Sequence, residues 1–265
     1  MKIKAIFMDL DGTLLKSDHT ISLKLKKKLK ELQEKGIKIF ISTGRSFRSS
    51  YPFVKELGIT TPVITYNGGR IVIPDTGEVV YEKPVNVENV KKIIEISREK
   101  GIHLNLYNDD ELYIEQESEE GIGYAERVGI PYRLINFDEF KKKTSTKGLF
   151  LAENRILTEL KKELDEKLSD VNFVFSQPTY LEVLNKEVNK GTAVLEMLRK
   201  YDISSNEAMA FGDQWNDLEM LKSVKYGYLM GNATDELKKQ FFLDRITLSN
   251  DDDGIYNVLK NIVSN

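Results

Sequence analysis

Cysteine is absent from this 265-residue chain. That excludes disulfides, thiolate metal sites and cysteine nucleophiles. Histidine occurs only at His19 and His103, too few for a histidine-rich metal centre. Charge of one sign is also lacking. The 39 basic and 42 acidic residues interleave to a net −3, so no global field recruits nucleic acid or an anionic membrane. No apolar run approaches the roughly 20 residues that cross a bilayer. A strand is expected within a few residues of the start, which leaves no room for a signal sequence and makes the cytoplasm the expected location. No low-complexity tract or Pro/Gly/Ser-rich linker appears. What remains is ordinary globular composition, 40% hydrophobic, and a length that suits one or two compact units.

The informative stretch is Ile6-Phe7-Met8-Asp9-Leu10-Asp11-Gly12-Thr13. The apolar residues 5–8 read as a short buried strand. It ends in two carboxylates two apart, then a glycine that permits a sharp turn. Like charges this close raise each other's pKa unless a cation lies between them. A divalent metal, a retained proton, or both resolve the conflict, and magnesium prefers one or two carboxylates plus substrate phosphate. The plainer alternative is a turn begun by Asp11-Gly12.

Further along, Ser22 caps an expected helix to about Lys35, with Ile21, Leu25, Leu29 and Leu32 on one stripe and Gly36 as its stop. The lysines between Lys24 and Lys30 read as the solvated back of that helix rather than a nucleic-acid patch. Strands are expected over 37–41, ending in Ser42-Thr43-Gly44-Arg45, and over 63–66, ending in Asn67-Gly68-Gly69. This strand–helix–strand rhythm signals a parallel α/β sheet. The pattern then changes to a hairpin about residues 74–77, followed by helices and paired strands. Helices are expected over 87–100, 118–128, 137–143 and 156–168, and strands over 103–107, 111–116, 148–152, 171–175 and 180–184. From Asn189 the first rhythm returns: a helix opened by Lys190-Gly191, a strand over 207–211 ending in Gly212-Asp213-Gln214-Trp215-Asn216-Asp217, a strand over 226–230, a short strand over 246–248 and a helix over 254–263. The expected fold class is therefore α/β, a Rossmann-like parallel sheet domain (1–83 and 187–265) with an inserted α+β unit (84–186).

In open α/β sheets, ligands bind beyond the carboxyl ends of the strands. Asp9 and Asp11, Thr43, Gly44 and Arg45, Asn67, and Asp213, Asn216 and Asp217 all fall at such ends, and Lys190 adds a positive charge at a helix start. Carboxylates, a lysine, a hydroxyl and glycine-rich backbone suit a metal ion and a phosphate. A carboxylate in line with phosphorus can attack it, and a second acid can protonate the leaving oxygen and later deprotonate water.

Four segments carry a resemblance: Asp9-Leu10-Asp11-Gly12-Thr13, Ser42-Thr43-Gly44-Arg45, Asn189-Lys190-Gly191, and Gly212-Asp213-Gln214-Trp215-Asn216-Asp217. In this order they resemble the motifs of haloacid-dehalogenase-like hydrolases, and the place of the insert resembles the Cof-type sugar-phosphatase branch. The resemblance implies Asp9 as nucleophile and Asp11 as general acid/base. It implies magnesium (Mg2+) held by Asp9, the Leu10 or Asp11 main chain and Asp213, with Asp217 in support. Phosphate would meet Thr43, Gly44, Lys190 and Asn216, and the insert would act as a substrate-selecting cap. Arg45 is read as bracing its loop more than touching substrate. Trp215 is expected to pack rather than stack on a ligand. His19 reads as a surface loop residue and His103 as a plain strand position. Asn67 reads equally as an orienting residue or a turn. Asp251, Asp252 and Asp253 read as a solvated helix start.

The resulting expectation is a magnesium-dependent phosphatase acting on a small phosphorylated metabolite such as a sugar phosphate, without nucleic-acid or membrane partners, monomeric or weakly self-associating. Its rivals are a phosphotransferase or mutase using the same intermediate, and a non-catalytic phosphate-binding module.

Overall fold

The computed structural model describes residues 2–262. Its backbone divides into two compact units: one made of the chain up to Gly44, Ser50–Val80 and the chain from Asn189, the other of Arg45–Ser49 with Tyr81–Val188.

The first unit is built on a parallel sheet whose four strands lie in the order Tyr226–Leu229, Ala208–Gly212, Ala5–Met8, Lys38–Ile41. The two central strands are buried along their whole length, as expected where both faces are covered by helices and the sequence reads as continuous apolar runs. Phe7 stacks on Phe40 with ring centroids 4.6 Å apart. Register sets where the polar residues emerge. Met8 pairs with both Phe211 and Ile41, so the strands end level and release Asp9, Ser42 and Asp213 at one edge. A single bridge, Ser42 to Ile64, continues the parallel order to the strand Val63–Thr65, which also begins an antiparallel sheet with Arg70–Val72 and Val79–Glu82.

Around this sheet the expected helices form with their capping chemistry. Ser22 accepts from Leu25 N at the start of Leu23–Glu34, whose Leu25, Leu29 and Leu32 are buried. Asn189 and Thr192 form a reciprocal capping box at the head of Lys190–Lys200, satisfying amides that have no partner within the helix. Several expectations are corrected. Residues 246–248 make one bridge, Ile246 to Leu229, and although Thr247 N donates to Leu229 O and Leu248 O accepts from Gly231 N, they do not extend into a full strand. Helices Phe47–Glu56 and Leu218–Ser223 were not expected from the sequence. The last helix runs Gly254–Leu259; Val263, its expected end, lies outside the described residues.

In the second unit, six strands order as Val171–Gln177, Tyr180–Asn185, Lys147–Leu151, His103–Asn108, Glu111–Ile114, Tyr132–Leu134. The last of these was not expected; it pairs parallel to Glu111–Ile114, and such short exposed strands carry little alternation. Helices Val87–Lys100 and Asn154–Lys167 bury Val90, Ile93, Ile94, Leu157, Leu160 and Leu164 in a core with Leu104, Leu106, Phe150, Leu181 and Val183. Alternation turns His103, Asn105, Tyr107, Lys147 and Glu182 to the opposite face. There His103 sits between Asn105 Oδ1 at 2.8 Å and Ser118 Oγ at 2.9 Å, a strand position with a structural bond on each ring nitrogen.

Lys147 and Glu182 form an ion pair on that face, 3.2 Å apart with side chains 3% and 5% exposed. Burial alone would lower the Lys147 pKa, but the Glu182 charge, with Tyr124, outweighs it and holds the ammonium above its ordinary value. Removing one member of a buried pair strands the other charge, at about 3–5 kcal/mol. Glu182→Ala is therefore expected to destabilise the protein by that amount in urea unfolding. The double change Lys147→Met with Glu182→Leu should recover most of the loss, and a double variant as unstable as the single one would refute the charge argument.

Candidate active site

The site grows from the edge where the strands end. Asp9 follows the first strand, and its amide donates to Phe211 O at 3.0 Å. Its side chain is buried, as are those of Asp213 and Asp217. An oxygen from each of these three carboxylates lies within 4.8 Å of the others. Lys190, wholly buried, donates to Asp9 Oδ1 at 2.5 Å and to Asp217 Oδ1 at 2.6 Å. The first residue of a helix from the far end of the sequence is thus the counter-charge of the first strand.

Asp217 spends its other oxygen on the backbone. Oδ2 accepts from the amides of Asp213 and Gln214, both at 2.9 Å, folding Gly212–Asp217 into a tight loop. Asp213 is held by donors from three directions: Thr13 Oγ1 at 2.9 Å on Oδ1, Gln214 Nε2 at 3.2 Å and Asn232 Nδ2 at 3.4 Å on Oδ2. Of these, sequence reasoning missed Asn232, which belongs to no motif. Between Asp11 and Thr13, Gly12 has φ +71°, and a Cβ there would stand 2.4 Å from Asp213 Oδ2. Only glycine accommodates both the backbone angle and the close approach.

Of the remaining sequence candidates, Leu10 is fully buried and supplies main chain only. Asp11 is exposed in the turn, near enough for its charge to raise the pKa of Asp9. Thr43 is buried, Gly44 and Arg45 half-buried, and Arg45 groups with the second unit. Thr43 O accepts from Asn67 N at 3.0 Å. Asn67 adopts a left-handed conformation at φ 56°, as a turn residue does, and its Oδ1 accepts from Asn216 Nδ2 at 2.9 Å. Trp215 is 47% exposed, so the packing expected of it is not found. Asp253 heads the last helix and pairs with Lys16 and Lys24, in keeping with a structural helix start.

Electrostatics follow from the geometry. Burial, then the neighbouring carboxylates against the pull of Lys190, holds Asp9 well above the ordinary carboxylate range. Burial and the Asp217 charge push Asp213 up to about 7, although Thr13, Lys190 and Gln214 oppose them. Lys190 is driven the other way: burial disfavours its charge, but Asp217 and Asp9 outweigh burial and hold it protonated. Three acids against one base leave an uncompensated negative charge, which is what a hard cation neutralises. Oxygens bound to magnesium at 2.0–2.1 Å lie about 3–4 Å apart, a spacing the 4.8 Å cluster reaches with small side-chain adjustments. The donor set fits a magnesium-type ion.

The raised values also make stability depend on pH. A carboxyl with a higher pKa folded than unfolded keeps its proton longer in the native state, so stability falls as pH rises through that interval. The metal-free protein is expected to melt at lower temperature at pH 8 than at pH 5.5, with divalent-ion affinity rising over the same range as protons leave. Thermal unfolding with chelator and with magnesium across pH tests this; a flat metal-free profile together with pH-independent affinity counts against it.

Residues 6–259 match the family model described as haloacid dehalogenase-like hydrolase. The chain belongs to the haloacid dehalogenase-like hydrolase family. A Yersinia pseudotuberculosis protein named HMP-PP phosphatase is 30% identical over 233 residues, 88% of this chain and 85% of that protein. A Thermotoga maritima crystal structure superposes with a TM-score of 0.88 at 33% identity, covering 99% of this chain and 98% of the other. A structure described as a subclass IIB sugar phosphatase superposes at 0.85 and 27% identity, covering 97% and 98%. Among the described residues of this family member, no helix is long and apolar enough to cross a membrane.

Proposed function

We propose that this hydrolase is a magnesium-dependent phosphatase of a small phosphorylated metabolite, with sugar phosphates as the leading class, acting in the cytoplasm. The observation that carries the reading is the buried Asp9–Lys190–Asp217 arrangement beside Asp213 at the strand ends. The family membership and the phosphatase names of relatives support it.

In this reading an oxygen of Asp9 attacks phosphorus, and the bond to the substrate's ester oxygen breaks as Asp11 supplies a proton to it. Asp11 is exposed in the turn, where water can reach it. It then takes a proton from the water that attacks the aspartyl-phosphate, releasing inorganic phosphate and restoring Asp9. Lys190 opposes the burial that favours a protonated Asp9, and with the Thr43 hydroxyl, the Gly44 amide and Asn216 it neutralises and orients the phosphoryl oxygens. Magnesium, held by Asp9, Asp213 and the main chain near Asp11 with Asp217 in support, would supply further charge neutralisation. The inserted unit is assigned the choice of leaving group.

A panel of phosphorylated metabolites, including hexose phosphates and HMP-PP, tests the proposal with magnesium and with chelator. Magnesium-dependent release of inorganic phosphate from at least one member is the expected outcome. Tight binding of a phosphorylated ligand without turnover would instead indicate a binding module, and transfer of phosphate to a second sugar a phosphotransferase.

A further inference from the structure

Beyond the residues that the motifs point to, Asn232 occupies a distinctive place. It follows the strand Tyr226–Leu229 at the same edge of the sheet, and its exposed side chain reaches two separate parts of the site. Nδ2 donates to Gly12 O at 2.8 Å and, more weakly, to Asp213 Oδ2 at 3.4 Å. An amide nitrogen carries two hydrogens, so both bonds form at once. Oδ1 in turn accepts from Asn250 N at 3.1 Å. Asn250, itself 9% exposed, extends its own amide to Leu15 O at 2.8 Å. The carboxamide orientation is dictated by this chain: turned over, Asn232 would place an oxygen against Gly12 O and a donor against the Asn250 amide.

We propose that Asn232 is a positioning residue of the site, locking the Asp11-Gly12 turn to the Asp213 carboxylate, with Asn250 holding the lock. Thr13, next to Gly12, also ties the turn to Asp213, and Gln214 touches Asp213 from the neighbouring position. Asn232 comes from a third segment and grips two others, so it adds to the Thr13 bond a second tie, on the Gly12 carbonyl and the other Asp213 oxygen. Gly12 has no side chain with which to anchor itself, so its carbonyl is held from outside, by Asn232.

The role rests on the proposed metal-dependent reaction, and the test separates the two. Manganese(II) binding to the full-length protein is measured by titration calorimetry for wild type, Asn232→Ala and Asn232→Ser, beside the melting temperature of each without metal and kcat and KM at saturating metal. Loss of an outer partner of a metal ligand costs about 10–100-fold in affinity or activity. The expected result is manganese affinity weaker by that factor in Asn232→Ala. Melting should shift by only a few degrees, and the activity loss at saturating metal should fall on kcat with KM little changed. The serine variant, too short to reach both acceptors, is expected to behave alike and serves as the reading if the alanine variant does not fold. Unchanged manganese affinity and kcat in a folded variant overturn the positioning role, as does a large loss of melting temperature with unchanged affinity. Failure of the wild type to bind manganese overturns the metal reading itself, and this role with it.

Discussion

Asp9→Asn is expected to lower kcat by about 10⁴–10⁶-fold, the scale on which removal of a covalent nucleophile acts, while the protein stays folded. The amide is nearly isosteric with the carboxylate and can still accept the Lys190 ammonium at the position of Oδ1, where the native contact is 2.5 Å. It has no anionic oxygen with which to displace an alcohol from phosphorus. Stability should hold or rise, because burial and three neighbouring carboxylates already press Asp9 toward its neutral form, and the amide is neutral at every pH. Steady-state hydrolysis of an aryl phosphate with magnesium, run beside mass spectrometry for a phosphorylated enzyme, provides the check. Turnover equal to wild type, or a phosphoryl group trapped elsewhere, removes Asp9 as the nucleophile.

Lys190→Met should produce the largest loss of stability. The side chain is 0% exposed and bonds Asp9 and Asp217 simultaneously. Methionine fills comparable volume but leaves two buried carboxylates without their counter-charge, a change of about 3–5 kcal/mol for a broken buried pair. Activity should fall by about 10²–10³-fold as a preorganised donor to the developing charge disappears. The signature that separates this from simple packing damage is rescue. The lost stability should return in part at pH 5.5, below the value of about 7 to which Asp213 is raised, and in part with magnesium, which replaces the missing positive charge. Urea midpoints at pH 5.5 and 8, with chelator or magnesium, measure it; a loss that neither acid nor magnesium reduces would contradict the electrostatic account. Lys190→Arg is not expected to substitute, since the planar guanidinium does not fit a fully buried point-charge position.

The sheet was legible because its strands are short apolar runs broken by Gly, Asp and Ser, and the long helices because their stripes and caps agree. The Val87–Lys100 helix, capped by Asn86 and closed by left-handed Gly101, has the bounds its pattern predicted. The misses have two causes. The helix Phe47–Glu56 contains Pro52, a helix breaker in any local reading, and Tyr132–Leu134 is a strand only because Glu111–Ile114 lies beside it. Where pairing with a distant segment makes the element, local propensity is silent.

The same division runs through the site. Which residue types take part was set by the order of letters: two acids after an apolar run, a lysine opening a helix, an acid–asparagine–acid loop, and no cysteine to compete with carboxylate chemistry. Their meeting was decided in three dimensions, since residues 9, 190, 213 and 217 converge only when strand register brings Met8 level with Phe211 and the capped helix delivers Lys190 to both carboxylates. Asn232 had no motif to announce it; a side-chain amide becomes a clamp only once Gly12 O and Asp213 Oδ2 stand within its reach. Exposure of Trp215 was likewise beyond the sequence, because an aromatic side chain carries the same local preference whether or not a neighbour covers it.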